Sequence, residues 1–233
     1  SLGGNILDLI VRHNLKAPPG EKLSIDEVVE NCVLFKLAAA DTSRMVTLFA
    51  LNHFINDQKS LDWFVQNVTS KLGSSDLSKY ETYESSEPLG RFTKEVLRRY
   101  SPTPVMTERI ATKDFKVGGY KIFKGQMINF NLVGMHHSSQ VYKNPMQLDF
   151  ERTSDSANPN TAASNKQPFF AFGSGKRNCI GRYLGELMIQ LMLVHVFKRF
   201  DLKPVQSLEY GSTVGPTYCP LSCYLRVKPK TNY

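Results

Sequence analysis

Cysteine is scarce in this chain. Cys32, Cys179, Cys219 and Cys223 are the four in 233 residues, too few and too scattered for a disulfide framework. Cys219 and Cys223 enclose Pro220 and have no second pair to complete a zinc site, so both read as strand residues. All four are expected to be reduced thiols facing the cytosol. No apolar run reaches the length of a membrane span, and no signal peptide opens the chain. Ser1-Leu2-Gly3-Gly4 lacks an initiator Met, so the chain is expected to begin mid-protein or to be a processed form. Internal repeats, RNA-binding signatures and zinc-finger spacings are absent, which excludes nucleic acid as the reading of the formal net charge of +8. A basic solvated surface or an acidic partner accounts for that charge.

The 41% hydrophobic content supports a globular core. Ser24-Ile25-Asp26-Glu27 reads as a capping box, and the helix it starts runs on to about Asn56. That helix is apolar nearly all round, so it is expected to be buried. Further helices are expected over Leu61–Leu72, stopped by Gly73, over Pro88–Tyr100, closed by Pro102 and Pro104, and over Ile180–Phe200. Between them, Gly118-Gly119 and Lys124-Gly125 mark turns, and residues 127–132 alternate as a half-buried strand. Residues 151–168 read as a long loop, and Leu221, Cys223, Leu225 and Val227 as a final strand. The fold class is mainly α with a small β region.

The informative segment is Phe172-Gly173-Ser174-Gly175-Lys176-Arg177-Asn178-Cys179-Ile180-Gly181, preceded by Pro168-Phe169. A cysteine just ahead of a helix meets that helix's positive end, which stabilises a thiolate. Gly175 permits a tight turn around the sulfur, and Gly181 lets the helix backbone approach a flat cofactor. Alone, such a cysteine is more often an ordinary buried residue. Together, Phe172, Gly175, Arg177, Cys179 and Gly181 resemble the haem-binding signature of the cytochrome P450 family at each of its fixed positions. The resemblance implies haem b (iron protoporphyrin IX), with Cys179 as the proximal iron ligand. It also implies Phe172 packed beside the thiolate and Arg177 meeting a propionate. A thiolate ligand favours O–O cleavage.

Glu95-Val96-Leu97-Arg98 puts an acid and a base on one helix face. In isolation this is an exposed helix ion pair. Here it resembles the family's E-x-x-R element, which joins an arginine of a later loop in a buried structural triad. Pro145 to Arg152 resembles that loop and makes Arg152 the third member, although Leu148, Phe150 and Thr153 depart from the commoner Phe, Pro and Phe. Ala38-Ala39-Ala40-Asp41-Thr42-Ser43 resembles the oxygen-activation motif, with Ala39 where Gly is commoner. Small Ala38 and Ala39 would admit the cofactor and dioxygen, Thr42 would hydrogen-bond dioxygen, and Asp41 would relay protons from water. The competing reading is a satisfied acid and a threonine bonded to its own helix. Arg109, after Thr107-Glu108, is the candidate for a second propionate contact. His136-His137 occupies the family's His-Arg position, with no third residue to make a metal site.

The resemblance runs from about Ser24 to Val227 and covers the C-terminal half of a full-length enzyme, so residues 1–233 are expected to form the C-terminal portion of the P450 haem domain. It implies a long buried oxygen-activation helix, the E-x-x-R helix, a small antiparallel sheet, the cysteine loop and a proximal helix. The implied activity is insertion of one oxygen atom from O2 into an apolar small-molecule substrate. Electrons would come from a reductase or ferredoxin docked near Lys176 and Arg182. Residues 34–43, 101–108 and 214–218 are expected to line the substrate pocket. Membrane association is expected only through an absent N-terminal part, at the cytosolic face of the endoplasmic reticulum for a microsomal type. A haem-thiolate isomerase or dehydratase is the rival enzyme, against which Asp41-Thr42 argues. A fragment that holds no haem is the rival of another class.

Overall fold

A computed structural model describes residues 4–105, 108–152, 169–205, 209–211, 219–222 and 224–230. The chain divides into two compact units, Ser1–Thr42 and Ser43–Tyr233.

The first unit opens with α1 (Ile6–Lys16), a helix not among those expected from the sequence. Its start uses an unexpected pair. Asn5 accepts from the Asp8 N–H at 3.0 Å, and Asp8 accepts from the Asn5 N–H at 3.1 Å. Asn14 then ties down the connection, donating to the Leu23 carbonyl at 2.7 Å and accepting from its N–H at 2.6 Å. Helix α2 (Ile25–Asn56) begins at the expected box, where Ser24 N–H donates to Glu27 at 2.7 Å and Glu27 N–H to Ser24 Oγ at 3.2 Å. These bonds hold the Glu27 carboxyl below its usual range. The expected burial of α2 needs correction. Leu34 and Leu37 are 60% and 62% exposed, whereas Val46, Phe49 and Phe54 farther along are each 1% exposed. An all-round apolar helix shows that a covering surface is needed. Among the described residues of α2, the first unit buries Val28, whereas the second unit buries a run that includes Met45, Val46, Phe49, Ala50 and Phe54.

In the second unit, α3 (Gln58–Phe64) is capped by Asp57, a π turn (Val65–Thr69) continues it, and α4 (Ser70–Leu72) ends at Gly73, whose φ is +41°. The expected helix over 61–72 thus starts earlier and contains one wide turn. After α5 (Tyr80–Glu84), α6 (Glu87–Arg99) carries Leu89, Phe92 and Val96 into the core. Phe92 stacks on Phe54 at 5.3 Å and meets Phe64 at 4.8 Å and Phe150 at 5.5 Å. Helix α8 (Arg182–Arg199) supplies Leu193, Val194 and Phe197 to the same cluster. Each such buried side chain contributes on the order of 2 kcal/mol. This is the core that holds α6 and α8 in place.

Between α6 and α8 lie two antiparallel ladders. Strand β1 (Arg109–Ile110) pairs β4 (Met127–Ile128), and β2 (Phe115–Val117) pairs β3 (Tyr120–Ile122) across Gly118-Gly119. Both hairpin glycines have positive φ, as a two-residue turn of this kind demands. The strand expected over 127–132 is shorter: pairing ends at Ile128 apart from a bridge between Val105 and Asn131. Asn131 instead caps α7 (Leu132–His136), accepting from the Gly134 N–H at 2.8 Å. After α8, β5 (Phe200–Pro204) pairs β8 (Leu225–Pro229), and β6 (Glu209–Gly211) pairs β7 (Cys219–Ser222). The single final strand expected over 221–227 is therefore two strands. Residues 153–168 of the expected loop, with Pro168, Thr107, Cys223 and the 214–218 segment, lie outside the described residues. No described helix is long and apolar enough to cross a membrane.

Candidate functional site

Glu95 and Arg98 stand one turn apart on α6, both with side chains 0% exposed. Every N–H of the Arg98 guanidinium has an acceptor. Nε and Nη2 donate to the two Glu95 oxygens, each at 2.8 Å. Nη1 donates to the carbonyls of His136 at 2.8 Å and Pro145 at 2.7 Å, and Nη2 also to Gln147 at 3.1 Å. Arg152 Nε donates to Glu95 Oε1 at 3.1 Å, its side chain only 4% exposed. The Asp149 N–H donates to the same oxygen at 3.0 Å. Buried charge is tolerable only when paired and hydrogen-bonded this fully. The Tyr142 ring lies 5.0 Å from the Arg98 guanidinium carbon and 5.9 Å from that of Arg152. Burial pushes the Tyr142 phenol up to about 12, with Arg98 opposing the shift. Tyr142 and the three acceptor carbonyls have no motif of their own. The loop's resemblance in Pro145–Arg152 points toward Pro145 and Gln147, and the His-Arg position toward His136.

The cysteine segment is built as a looped entry to α8. Gly173 and Gly175 take φ of +74° and +72°, which side-chain-bearing residues rarely adopt. A 3-10 turn (Gly175–Arg177) follows, and the Asn178 N–H closes it on the Gly175 carbonyl at 3.1 Å. The Cys179 N–H then donates back to the Phe172 carbonyl at 2.8 Å, and the Gly173 N–H to that of Phe170 at 2.8 Å. Cys179 is a free, exposed thiol, with Gly181 as the N-cap of α8. A Cβ placed on Gly181 would lie 3.9 Å from the sulfur. Phe172 packs on Gly185, where an added Cβ would lie 3.7 Å from its ring, and Arg182 lies 5.8 Å above that ring. Arg177 is exposed and has no ion pair among the described residues. Ile180, Tyr183 and Leu184 are exposed beside the thiol, so the first turns of α8 are apolar and open while its later turns are buried.

A family model described as cytochrome P450 matches residues 5–211. The chain belongs to the cytochrome P450 family. It is 29% identical to a probable cytochrome P450 9f2 of Drosophila melanogaster over 85% of this chain and 39% of that protein. Against cytochrome P450 6d3 of Musca domestica the identity is 26%, over 90% of this chain and 40% of the relative. A crystal structure of a cytochrome P450DA heme domain superposes with a TM-score of 0.78 at 25% identity, covering 93% of this chain and 48% of that one. The chain thus spans about 40% of the length of these curated relatives. Its mostly helical fold with small antiparallel sheets is that of the P450 family.

Membership implies a haem cofactor, and the cysteine segment fits one. It offers an exposed sulfur, a loop turned by Gly173 and Gly175 at positive φ, Gly181 beside the sulfur, an apolar surface next to it and, at Arg177, a cation with no ion pair among the described residues. Arg109 sits on β1, half-buried, its Nη1 donating to the Glu108 carbonyl at 2.9 Å. Ala38, Ala39, Asp41 and Thr42 lie in the first unit. Thr42 Oγ1 donates to the Ala38 carbonyl at 2.7 Å, the self-bonded arrangement weighed against an oxygen-activating role. Its oxygen keeps lone pairs for accepting a proton-bearing group. Arg182, expected as a docking cation, is already paired to Glu186 at 3.2 Å; Lys176 is exposed without such a partner among the described residues.

Proposed function

We propose that this chain is the haem-binding, C-terminal portion of a haem-thiolate monooxygenase, with Cys179 as the thiolate that holds the iron. The exposed Cys179 sulfur at the entry to α8, framed by Gly175 and Gly181 and fixed through its own amide to Phe172, carries the reading. A bound haem supplies the redox chemistry of dioxygen and the transfer of one oxygen atom to substrate. The chain's own residues do the rest. The α8 N-terminus favours negative charge on the sulfur. The bond from Cys179 N–H to Phe172 fixes where the sulfur points. Phe172 and the exposed Ile180, Tyr183 and Leu184 offer an apolar surface that excludes water from a flat cofactor. Arg177, and in this reading Arg109, neutralise propionate charge. Ala38 and Ala39 leave room beside α2. Asp41 carries protons in from water, and Thr42 passes them on once its hydroxyl turns from the Ala38 carbonyl. Glu95, Arg98 and Arg152 hold the scaffold and touch no substrate.

In the whole protein the substrate is apolar, O2 is the co-substrate, and a reductase or ferredoxin delivers electrons near Lys176. The eukaryotic relatives support placing that protein at the cytosolic face of the endoplasmic reticulum. Haem titration of the purified chain tests the reading. The parent takes up one haem per chain and Cys179→Ala does not. Equal uptake by both would remove Cys179 from the site, and no uptake by the parent would favour a fragment that holds no haem.

A further inference from the structure

His136 is a buried titratable group for which the mechanism has no use. Its side chain is among the most fully buried in the protein. Nε2 accepts from the Phe170 N–H at 3.2 Å, so the ring proton belongs on Nδ1. That Nδ1 is buried and has no hydrogen-bond partner among the described residues. Burial, with Arg98 and His137 adding to it, pushes the imidazole down to about 4, so the ring is neutral. Leaving a buried N–H unsatisfied carries a desolvation cost that leucine at this position would not incur. What histidine provides in return is the acceptor for Phe170. The adjacent His137 makes the opposite choice: its Nε2 faces the Arg99 carbonyl at 2.9 Å and must carry the proton.

The two ends of His136 grip different structures. Its backbone carbonyl accepts from Arg98 at 2.8 Å, inside the Glu95–Arg98–Arg152 network. Its ring accepts from Phe170 and stacks on Phe169, with centroids 5.8 Å apart and planes 16° from parallel. From Phe170 the backbone bonds lead on: the Gly173 N–H returns to the Phe170 carbonyl, and the Cys179 N–H to Phe172. We propose that His136, as the neutral Nδ1–H tautomer, is the positioning residue through which the buried Glu95–Arg98–Arg152 network sets the cysteine loop. The meaning of that position for catalysis rests on Cys179 being the haem ligand; the mechanical link does not.

The test compares His136→Leu, which removes the acceptor, with His136→Gln, whose Oε1 can restore it, in the full-length haem-loaded protein. Amide hydrogen exchange at Phe170 and Cys179 is expected to rise at least tenfold in the leucine variant and to return toward the parent value in the glutamine variant. Exchange in the β2–β3 hairpin should not move. In the same variants the share of reduced, carbon-monoxide-bound protein lacking the thiolate-type absorption band should rise with leucine and fall with glutamine. Parent-like protection at Phe170 and Cys179 in His136→Leu overturns the proposal. Should that variant not fold, long-range proton–nitrogen NMR of the parent decides. An Nδ1–H imidazole whose Nε2 accepts from Phe170 at pH 7 supports the proposal, and an Nε2–H or charged ring overturns it. If Cys179 proves not to be the ligand, the exchange and tautomer results still stand or fall alone.

Discussion

The Glu95–Arg98–Arg152 network and the cysteine loop are opposite solutions within one unit. In the network, two side chains are 0% exposed and each guanidinium N–H of Arg98 finds an acceptor. In the loop, residues 174–180 are all exposed and Arg177 has no ion pair among the described residues. The network is completed by the protein's own atoms. The loop leaves a sulfur, a cation and an apolar surface exposed. A motif is therefore best judged by whether its polar groups are already satisfied. The satisfied one holds the fold; the open one offers a site.

That contrast breaks most visibly at Arg98. Arg98→Ala leaves Glu95 with Arg152 and the Asp149 N–H alone, removes the donor from the carbonyls of His136, Pro145 and Gln147, and should cost roughly 3–5 kcal/mol in chemical denaturation. Arg152→Ala should cost less, because Arg98 still pairs Glu95. Equal, small losses would mean that the network is solvated in solution.

Acid separates the two regions next. The folded state holds His136 near 4, below the ordinary value of 6.5, so the unfolded chain takes up a proton first as pH falls. Its contribution is fully present above about pH 6.5 and declines toward pH 4, by up to about 3 kcal/mol. The denaturation midpoint of the parent should fall relative to that of His136→Gln as pH drops through that range. Parallel curves would contradict the assignment.

Smaller structural effects are expected where side chains satisfy themselves. Thr42→Ala removes a bond to its own helix and should change stability by less than about 1 kcal/mol. In the full-length enzyme it should nevertheless uncouple oxygen consumption from product formation; unchanged coupling would leave Thr42 with its helical role alone. Lys176→Glu should slow reduction of the iron at low salt and leave substrate binding intact. Arg182→Glu breaks a surface pair with Glu186, worth about 0.2–0.5 kcal/mol, and a cation contact with the Phe172 ring, and should slow reduction less. Stopped-flow reduction at two ionic strengths separates these two cations.

Much of the fold is legible where local chemistry decides it. Ser24 and Glu27 mark the start of α2, Gly73 the end of α4, and Gly118-Gly119 the hairpin, because caps and positive φ depend on a few neighbouring residues. Burial is less legible. The apolar surface of residues 25–42 says that cover is needed and not what supplies it. Asn131 fits the alternating strand pattern and yet caps α7, since an Asn can serve either. In the site, side-chain motifs point to Glu95, Arg98 and Cys179, whereas the carbonyls of Pro145 and Gln147 that complete the network carry no residue signature at all. The His136 link escapes notice for the same reason, since half of it is backbone.

If the open loop is the haem site, Cys179 holds the cofactor's iron and the closed network does not. The most direct test is the absorption spectrum of the reduced, carbon-monoxide-bound full-length protein, parent against Cys179→Ala. A thiolate-type band is expected in the parent and none in the variant. A thiolate-type band that persists in Cys179→Ala would contradict it.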